Sequence, residues 1–148
     1  MLSTLTIAKL TSNYKYCINE YAIVSRSVEH KEPLYLLMLA VSYTNISCAR
    51  FMDKKAYLVS HALGWIFKYK SVRGKPMTQE VYYNIGRLYH QVGLFSQAVS
   101  FYKRALSSPP ALPQYNLQCE IAYNLYLIYM SSGNKKLAFH TLSTYLVV

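Results

Sequence analysis

Apolar and polar positions in this chain follow the period of an α-helix, and its five glycines and five prolines, mostly at segment ends, suit helices better than a sheet sandwich. The segment 79–110, QEVYYNIGRLYHQVGLFSQAVSFYKRALSSPP, breaks at Gly93 and closes on Pro110. Its pattern predicts helices over about Gln79–Gln91 and about Phe95–Ser107. Upstream, Leu34–Val41 (LYLLMLAV), weakening toward Ile46, is apolar nearly all round and predicts a central helix after the break at Pro33. Its partner runs from Asp53, an N-cap type, to about Val72. Val59, Ala62, Leu63, Ile66 and Phe67 form the expected inward stripe, with Lys55, Lys68 and Arg73 toward solvent. The turn Ser47–Met52 precedes this helix, and Gly74 and Pro76 end it. An opening pair is expected from about Leu2 to Val28, turning near Ser12–Asn13, with Cys17, Tyr21 and Val24 on one face. The last pair is expected over about Tyr115–Met130 and about Lys135–Leu146.

The 79–110 unit matches the tetratricopeptide-repeat pattern at each main position: Tyr82, Ile85, Gly86, Tyr89, Ala98, Tyr102, Ala105 and Pro110. Gly86 and Ala98 lack bulk, so two antiparallel helices can approach there, and the tyrosines fill the space beside that contact. Pro110 offers no N–H with which to prolong a helix. A second copy lies forty residues on, with Tyr83/Tyr123, Asn84/Asn124, Tyr89/Tyr129, Gly93/Gly133 and Ala98/Ala138 identical. The usual period is about 34, so roughly six extra residues sit in the connection Ser107–Cys119, stiffened by Pro109, Pro110 and Pro113. Gly93 and Gly133 fall where the turn inside each repeat needs a left-handed backbone. Tyr126 stands where the second copy should have glycine, so that pair must splay slightly or place the ring at an edge.

Stacking such pairs buries what one pair cannot. The expected class is all-α: a right-handed tetratricopeptide-repeat solenoid of about four antiparallel helix pairs, first helices lining the concave face. The expected division is a partial repeat at 1–31, a repeat with an extended second helix at 32–75, a repeat at 79–110 and a last repeat at 115–148. Leu142, Tyr145 and Leu146 end the chain without a polar capping helix, which predicts either a cover for that end or its tolerance as a terminus.

Composition narrows the function. The chain has 148 residues, 53% of them hydrophobic, which argues against disorder. No apolar run approaches the roughly 20 residues needed to cross a bilayer, and Met1–Leu10 lacks the features of a secretory signal. Three widely spaced cysteines, Cys17, Cys48 and Cys119, form neither a disulfide framework nor a metal motif, which fits a reducing intracellular compartment. Sixteen Lys and Arg face six Asp and Glu, for a net charge of +10. Arg50, Lys54, Lys55, Lys68, Lys70, Arg73 and Lys75, against Asp53 alone, supply six of those ten charges. That stretch is either a solvated helix face or a patch for acidic protein or DNA backbone.

Catalytic and metal constellations are missing from the sequence. His30, His61, His90 and His140 have no second ligand at helical spacing, no phosphate-binding or nucleophile-elbow motif occurs, and six acids leave little for acid–base work. His90, at a helix end, reads as solvated or capping. An enzyme, a cofactor and a small-molecule substrate are therefore not expected. Sixteen tyrosines fit core and groove packing. Asn84, Arg87 and Asn124 on the inner helices are candidate groove residues, able to hold a peptide backbone or simply to bond locally.

Particular runs carry a closer likeness. EPLYLLMLAVSY from Glu32, HALGWIFKYKSVRG from His61, EVYYNIGRLYHQVGLFSQAVSFYKRAL from Glu80, EIAYNLYLIYMSSGNKKLA from Glu120 and the final TLSTYLVV resemble the C-terminal end of the tetratricopeptide-repeat subunit of transcription factor TFIIIC. The likeness covers about Tyr14 to the end and includes the helix around Trp65; residues 1–11 match nothing. It implies a nuclear, non-catalytic scaffold of RNA polymerase III transcription, assembled with other TFIIIC subunits. It also implies a C-terminal fragment or truncated gene model, since the family's N-terminal repeat array, tied to recruitment of TFIIIB, has no counterpart here. The alternative is a peptide-binding adaptor of the co-chaperone type. That class needs lysines and asparagines across successive inner helices, and the helix after Pro33 offers no basic residue.

Overall fold

The structure, a computed structural model, describes residues 32–48 and 55–146, together with the single position Asn19. These residues hold six α-helices, two short 3-10 turns and no strand. The helices are α1 (Pro33–Ser47), α2 (Lys55–Arg73), α3 (Thr78–Gln91), α4 (Phe95–Leu106), α5 (Gln118–Ser131) and α6 (Lys135–Tyr145). They pair as α1–α2, α3–α4 and α5–α6. This is the all-α tetratricopeptide-repeat solenoid class that the pattern predicts. The expected opening pair, the N-cap at Asp53 and most of the turn before it lie outside the described residues, as do the final two valines. The chain divides into two compact units, residues 1–73 and 74–148.

In the first unit, Pro33 opens α1, where a missing N–H costs nothing. Leu36, Leu39 and Ala40 are buried, and so are Thr44 and Ser47. The hydroxyls of those two donate back to the carbonyls of Ala40 (2.8 Å) and Thr44 (2.7 Å), which lets polar groups sit inside an apolar helix. The face that α2 buries is Ala62, Ile66 and Tyr69, at i, i+4 and i+7. The expected stripe is corrected at its end: Phe67 is exposed and Tyr69 is fully buried. Position 67 is turned about 100° from Ile66, while 69 continues the 62–66 ridge, so register outweighs side-chain type.

The second unit begins with Gly74 at φ 77° and a 3-10 turn over Lys75–Met77. Within α3–α4, Gly86 lies under the ring of Tyr102, which has no solvent exposure. A Cβ at position 86 would stand 2.7 Å from two Tyr102 ring carbons, so only hydrogen fits. Ala98 and Ala105 of α4 are likewise fully buried. Phe101 stacks on Tyr89 at 5.5 Å between centroids, lies 6.1 Å from Tyr82, and has the Arg104 guanidinium 5.3 Å from its ring. The turns after α3 and α5 pass through Gly93 (φ 85°) and Gly133 (φ 78°), a left-handed conformation costly for any residue with a Cβ.

The α5–α6 pair solves the same contact differently. Forty residues on, Gly86 and Tyr102 become Tyr126 and Leu142, so the aromatic moves from the second helix to the first. Tyr126 is half-buried, packed with Tyr123 (6.2 Å) and edge-on to Phe139 (6.4 Å), the edge placement rather than a core one. Ile121, Leu125, Ile128, Tyr129 and Ala138 join Ala98, Tyr102 and Ala105 in one buried cluster through α4–α6.

Gln79, at the start of α3, is 4% exposed and organises the long connection after α4. Its Nε2 donates to the Ser108 carbonyl (3.4 Å) and to Asn116 Oδ1 (3.3 Å), and its Oε1 accepts from the Leu117 N–H (3.1 Å). This clamp corrects the expected start of the next helix. Pro113–Tyr115 form a 3-10 turn, Asn116 is extended, and its Oδ1 accepts from the Gln118 N–H (3.1 Å), so α5 begins at Gln118 instead of Tyr115. His90 also departs from its expected solvated role. It is half-buried, with Nδ1 3.3 Å from the Tyr102 hydroxyl and its ring edge-on to Tyr102 and Phe95. Burial holds its pKa below the ordinary 6.5 and pushes the Tyr102 hydroxyl well above its usual range, so two neutral groups share the bond.

Thermal unfolding checks each of these contacts. Gly86→Ala gains about 1 kcal/mol of helix propensity but overpacks Tyr102, a cost of about 1–3 kcal/mol, so the melting temperature drops. Adding Tyr102→Leu, the residue type found at position 142, makes the Gly86→Ala step neutral or favourable, a coupling a double-mutant cycle detects. Gln79→Ala strands the Leu117 N–H and costs about 1–3 kcal/mol. Since the unfolded chain takes up a proton at His90 before the folded one does, stability is full above about pH 6.5 and falls as pH drops below it; His90→Met flattens that slope.

Candidate protein-interaction surface

Side chains of α3 and α5 meet on Tyr83. Asn124 of α5 donates from Nδ2 to the Tyr83 hydroxyl (3.3 Å), and the Arg87 guanidinium lies 5.7 Å from the Tyr83 ring. The ring in turn packs 6.1 Å from Tyr102, tying this surface group to the core. Two of the three candidate groove residues, Arg87 and Asn124, are thus brought together, with Arg87 exposed at the outer edge; Asn84 is half-buried on the same helix as Arg87. A guanidinium held over an aromatic face keeps donors free for a carboxylate while its stem is immobilised. Tyr83 is absent from the groove residues expected on sequence alone. Its recurrence as Tyr123 beside the Asn84/Asn124 pair was the signal available.

The packing residues lie as follows. Ile85, Gly86, Ala98, Tyr102, Ala105, Tyr129 and Ala138 are buried; Tyr82, Tyr89 and Pro110 are half-buried. Pro110 sits beyond the end of α4, which stops at Leu106.

The basic stretch does not form one stripe on α2. Arg50 and Lys54 lie outside the described residues. Lys55 and Lys68 are exposed, Lys70 and Arg73 half-buried, and exposed Lys75 belongs to the second unit. At about 100° per residue, Lys68 points roughly 140° away from Arg73 and Lys55. Its ammonium instead lies 5.3 Å from the Trp65 ring. There, Ser60, His61, Gly64, Trp65 and Lys68 line an open hollow of about 400 Å³. His61 is stacked on Tyr43 (5.3 Å) and meets Tyr57 edge-on (4.4 Å), and burial, then the neighbouring Tyr57, raises the Tyr43 pKa.

Among the described residues, no group of three or more His, Cys, Asp or Glu is placed to hold a metal, and no helix is long and apolar enough to cross a membrane. Cys48 and Cys119 are exposed. The arrangement offers aromatic, amide and guanidinium contacts on a rigid frame, which suits binding a protein surface.

Comparison with known proteins gives the same architecture a lineage. The tetratricopeptide-repeat family profile matches residues 79–112. General transcription factor 3C polypeptide 3 of Homo sapiens is 33% identical over 144 residues, 93% of this chain and 16% of that protein. Transcription factor tau subunit sfc4 of Schizosaccharomyces pombe is 33% identical over 131 residues, 78% of this chain and 13% of its own length. The transcription factor tau 131 kDa subunit of Saccharomyces cerevisiae is 31% identical over 121 residues, 79% of this chain and 12% of its own length. The chain therefore spans under one sixth of the two yeast relatives and 16% of the human one. Over that span it belongs to the family of tetratricopeptide-repeat subunits of transcription factor TFIIIC.

Proposed function

We propose that this chain is a non-catalytic scaffold module of a TFIIIC-type assembly, acting in the nucleus in support of RNA polymerase III transcription through contacts with sister subunits. The observation that carries the reading is the 33% identity to a general transcription factor subunit across 93% of the chain. The packing supports it, because the stacked pairs bury small-residue contacts and leave aromatic and cationic side chains outside, a division suited to holding other proteins. The repeat units of the module are 32–75, 79–110 and 115–148, with a partial repeat before them. Contact with TFIIIB is secondary in this reading, since the chain matches only a fraction of its relatives. Any touch on a DNA backbone would use separate small clusters of lysine and arginine, not one continuous stripe.

The adaptor alternative draws less support. Asn124, one of the three polar residues it would use, already spends a donor on Tyr83. A clamp for an acidic tail needs its amides free toward the ligand.

Two measurements test the proposal. The tagged chain, expressed with the remaining subunits, enters a large complex that contains them; recovery of the chain alone overturns the scaffold reading. In parallel, acidic C-terminal peptides on an array bind no better than scrambled ones, and tight tail-specific binding restores the adaptor. If duplex DNA is touched, the logarithm of affinity falls with the logarithm of salt at about −0.9 per phosphate neutralised, giving a slope near −3 for three contacts. An unmeasurable affinity at low salt removes DNA from the partners.

A further inference from the structure

The α3–α4 pair receives α5 in a defined way. Gln79, Tyr83, Gly86 and His90 form one stripe of α3 at i, i+4, i+7 and i+11, and Val99, Tyr102 and Leu106 form the facing stripe of α4. Polar contacts fix the arrival: Gln79 holds the Leu117 N–H and Tyr83 accepts from Asn124. Apolar ones fill it, since Tyr83, Val99 and Leu106 pack against the cluster that contains Ile121, Leu125 and Ile128.

The same positions forty residues on are Cys119, Tyr123, Tyr126 and Met130 of α5, with Phe139 and Leu142 of α6 and Leu146 at its C-cap. They again line one side of a helix pair: Tyr126 meets Phe139 edge-on, and Cys119 Sγ lies 4.0 Å from the Tyr145 carbonyl. Here, however, Tyr123 is 53% exposed and Phe139 57%, and Met130 and Leu142 are only half-buried. Two apolar positions that are half-buried in one repeat, Tyr83 and Val99, are thus exposed in the next as Tyr123 and Phe139, with half-buried Tyr126, Met130 and Leu142 beside them.

We propose that this groove, lined by Tyr123, Tyr126, Met130, Phe139 and Leu142, receives an amphipathic helix of a partner protein. The occupant carries apolar residues at i, i+4 and i+7, as α5 does with Ile121, Leu125 and Ile128, and acidic residues on its flank. Continuity with the α3–α4 groove supplies the shape argument. Charge supplies the other. Lys135 lies on the Phe139–Leu142 face of α6 at i−4 and i−7, and Lys136 is exposed beside it. A second copy of this chain is a poor occupant, because each copy carries +10 and has six acids in all. The inference rests on the scaffold reading for where the partner comes from, and adds which face it meets.

The test uses the full chain co-expressed with the remaining subunits. Phe139 is replaced by the photo-crosslinking residue benzoylphenylalanine, and separately the pair Tyr123→Lys and Phe139→Lys is made. The expected result is a crosslink from position 139 into an acid-flanked amphipathic helix of another subunit. The lysine pair should lower recovery of that subunit at least tenfold, with the melting temperature of the isolated chain within a few degrees of the parent, since both side chains are exposed. An intact complex with the lysine pair, or no crosslink from a complex that forms, overturns the groove while the scaffold reading stands. A crosslink to a second copy overturns the choice of occupant. Failure of the parent chain to enter any complex overturns both.

Discussion

A hydrogen atom facing a tyrosine ring sets the spacing of the second unit. At Gly86 the two helices of the repeat come so close that Tyr102 takes the room of a side chain, its ring carbons 2.7 Å from where a β-carbon would stand. Everything near depends on that ring staying where it is. Tyr102 shares a hydrogen bond with His90, presses on Tyr83, and belongs to a buried cluster with Ile121, Leu125 and Ile128 of the following repeat. One close approach thus aligns three helices. It also places Tyr83 where Arg87 and Asn124 can reach it, so the interaction surface inherits its geometry from the core.

The next repeat keeps the frame while exchanging the parts. Placing the aromatic on the first helix, as Tyr126, removes the need for glycine but turns a core ring into an edge ring. The consequence is chemical as much as geometric. Where α3–α4 presents an amide, a histidine and a glycine to its neighbour, α5–α6 presents a thiol, a thioether and tyrosines. The repeat therefore retains its fold while the identity of what it can hold changes from one pair to the next.

Much of this was legible in the residue pattern, and the failures share a cause. Helix existence and pairing could be read because Gly86 sits at the close approach of one repeat and Gly93/Gly133 and Ala98/Ala138 recur forty residues apart, spacings that a stacked helix pair explains. The exchange of Phe67 for Tyr69 could not, since both are aromatic, they lie about 200° apart on the helix, and which of them turns inward depends on where α1 sits. Gln79 escaped because a glutamine in the first turn of a helix is usually solvated by type, and its partners lie 29, 37 and 38 residues away. Asn116, which delays α5, was hidden for the same reason. Tyr83 was visible as a repeat position but not as a hub, because its role needs α5 alongside. Local chemistry marks elements; the contacts that join them are written in distant residues.

The clamp at Gln79 has a mechanical consequence. A connection longer than the usual repeat spacing would ordinarily behave as slack, letting neighbouring pairs drift apart under load. With both ends of one amide engaged, the segment from Ser108 to Leu117 is held at a set extension. A pull applied through the last repeat is shared between these hydrogen bonds and the buried cluster that joins α4 to α5 and α6. The added length thus serves as a stiff spacer, and the angle between successive pairs is transmitted instead of lost.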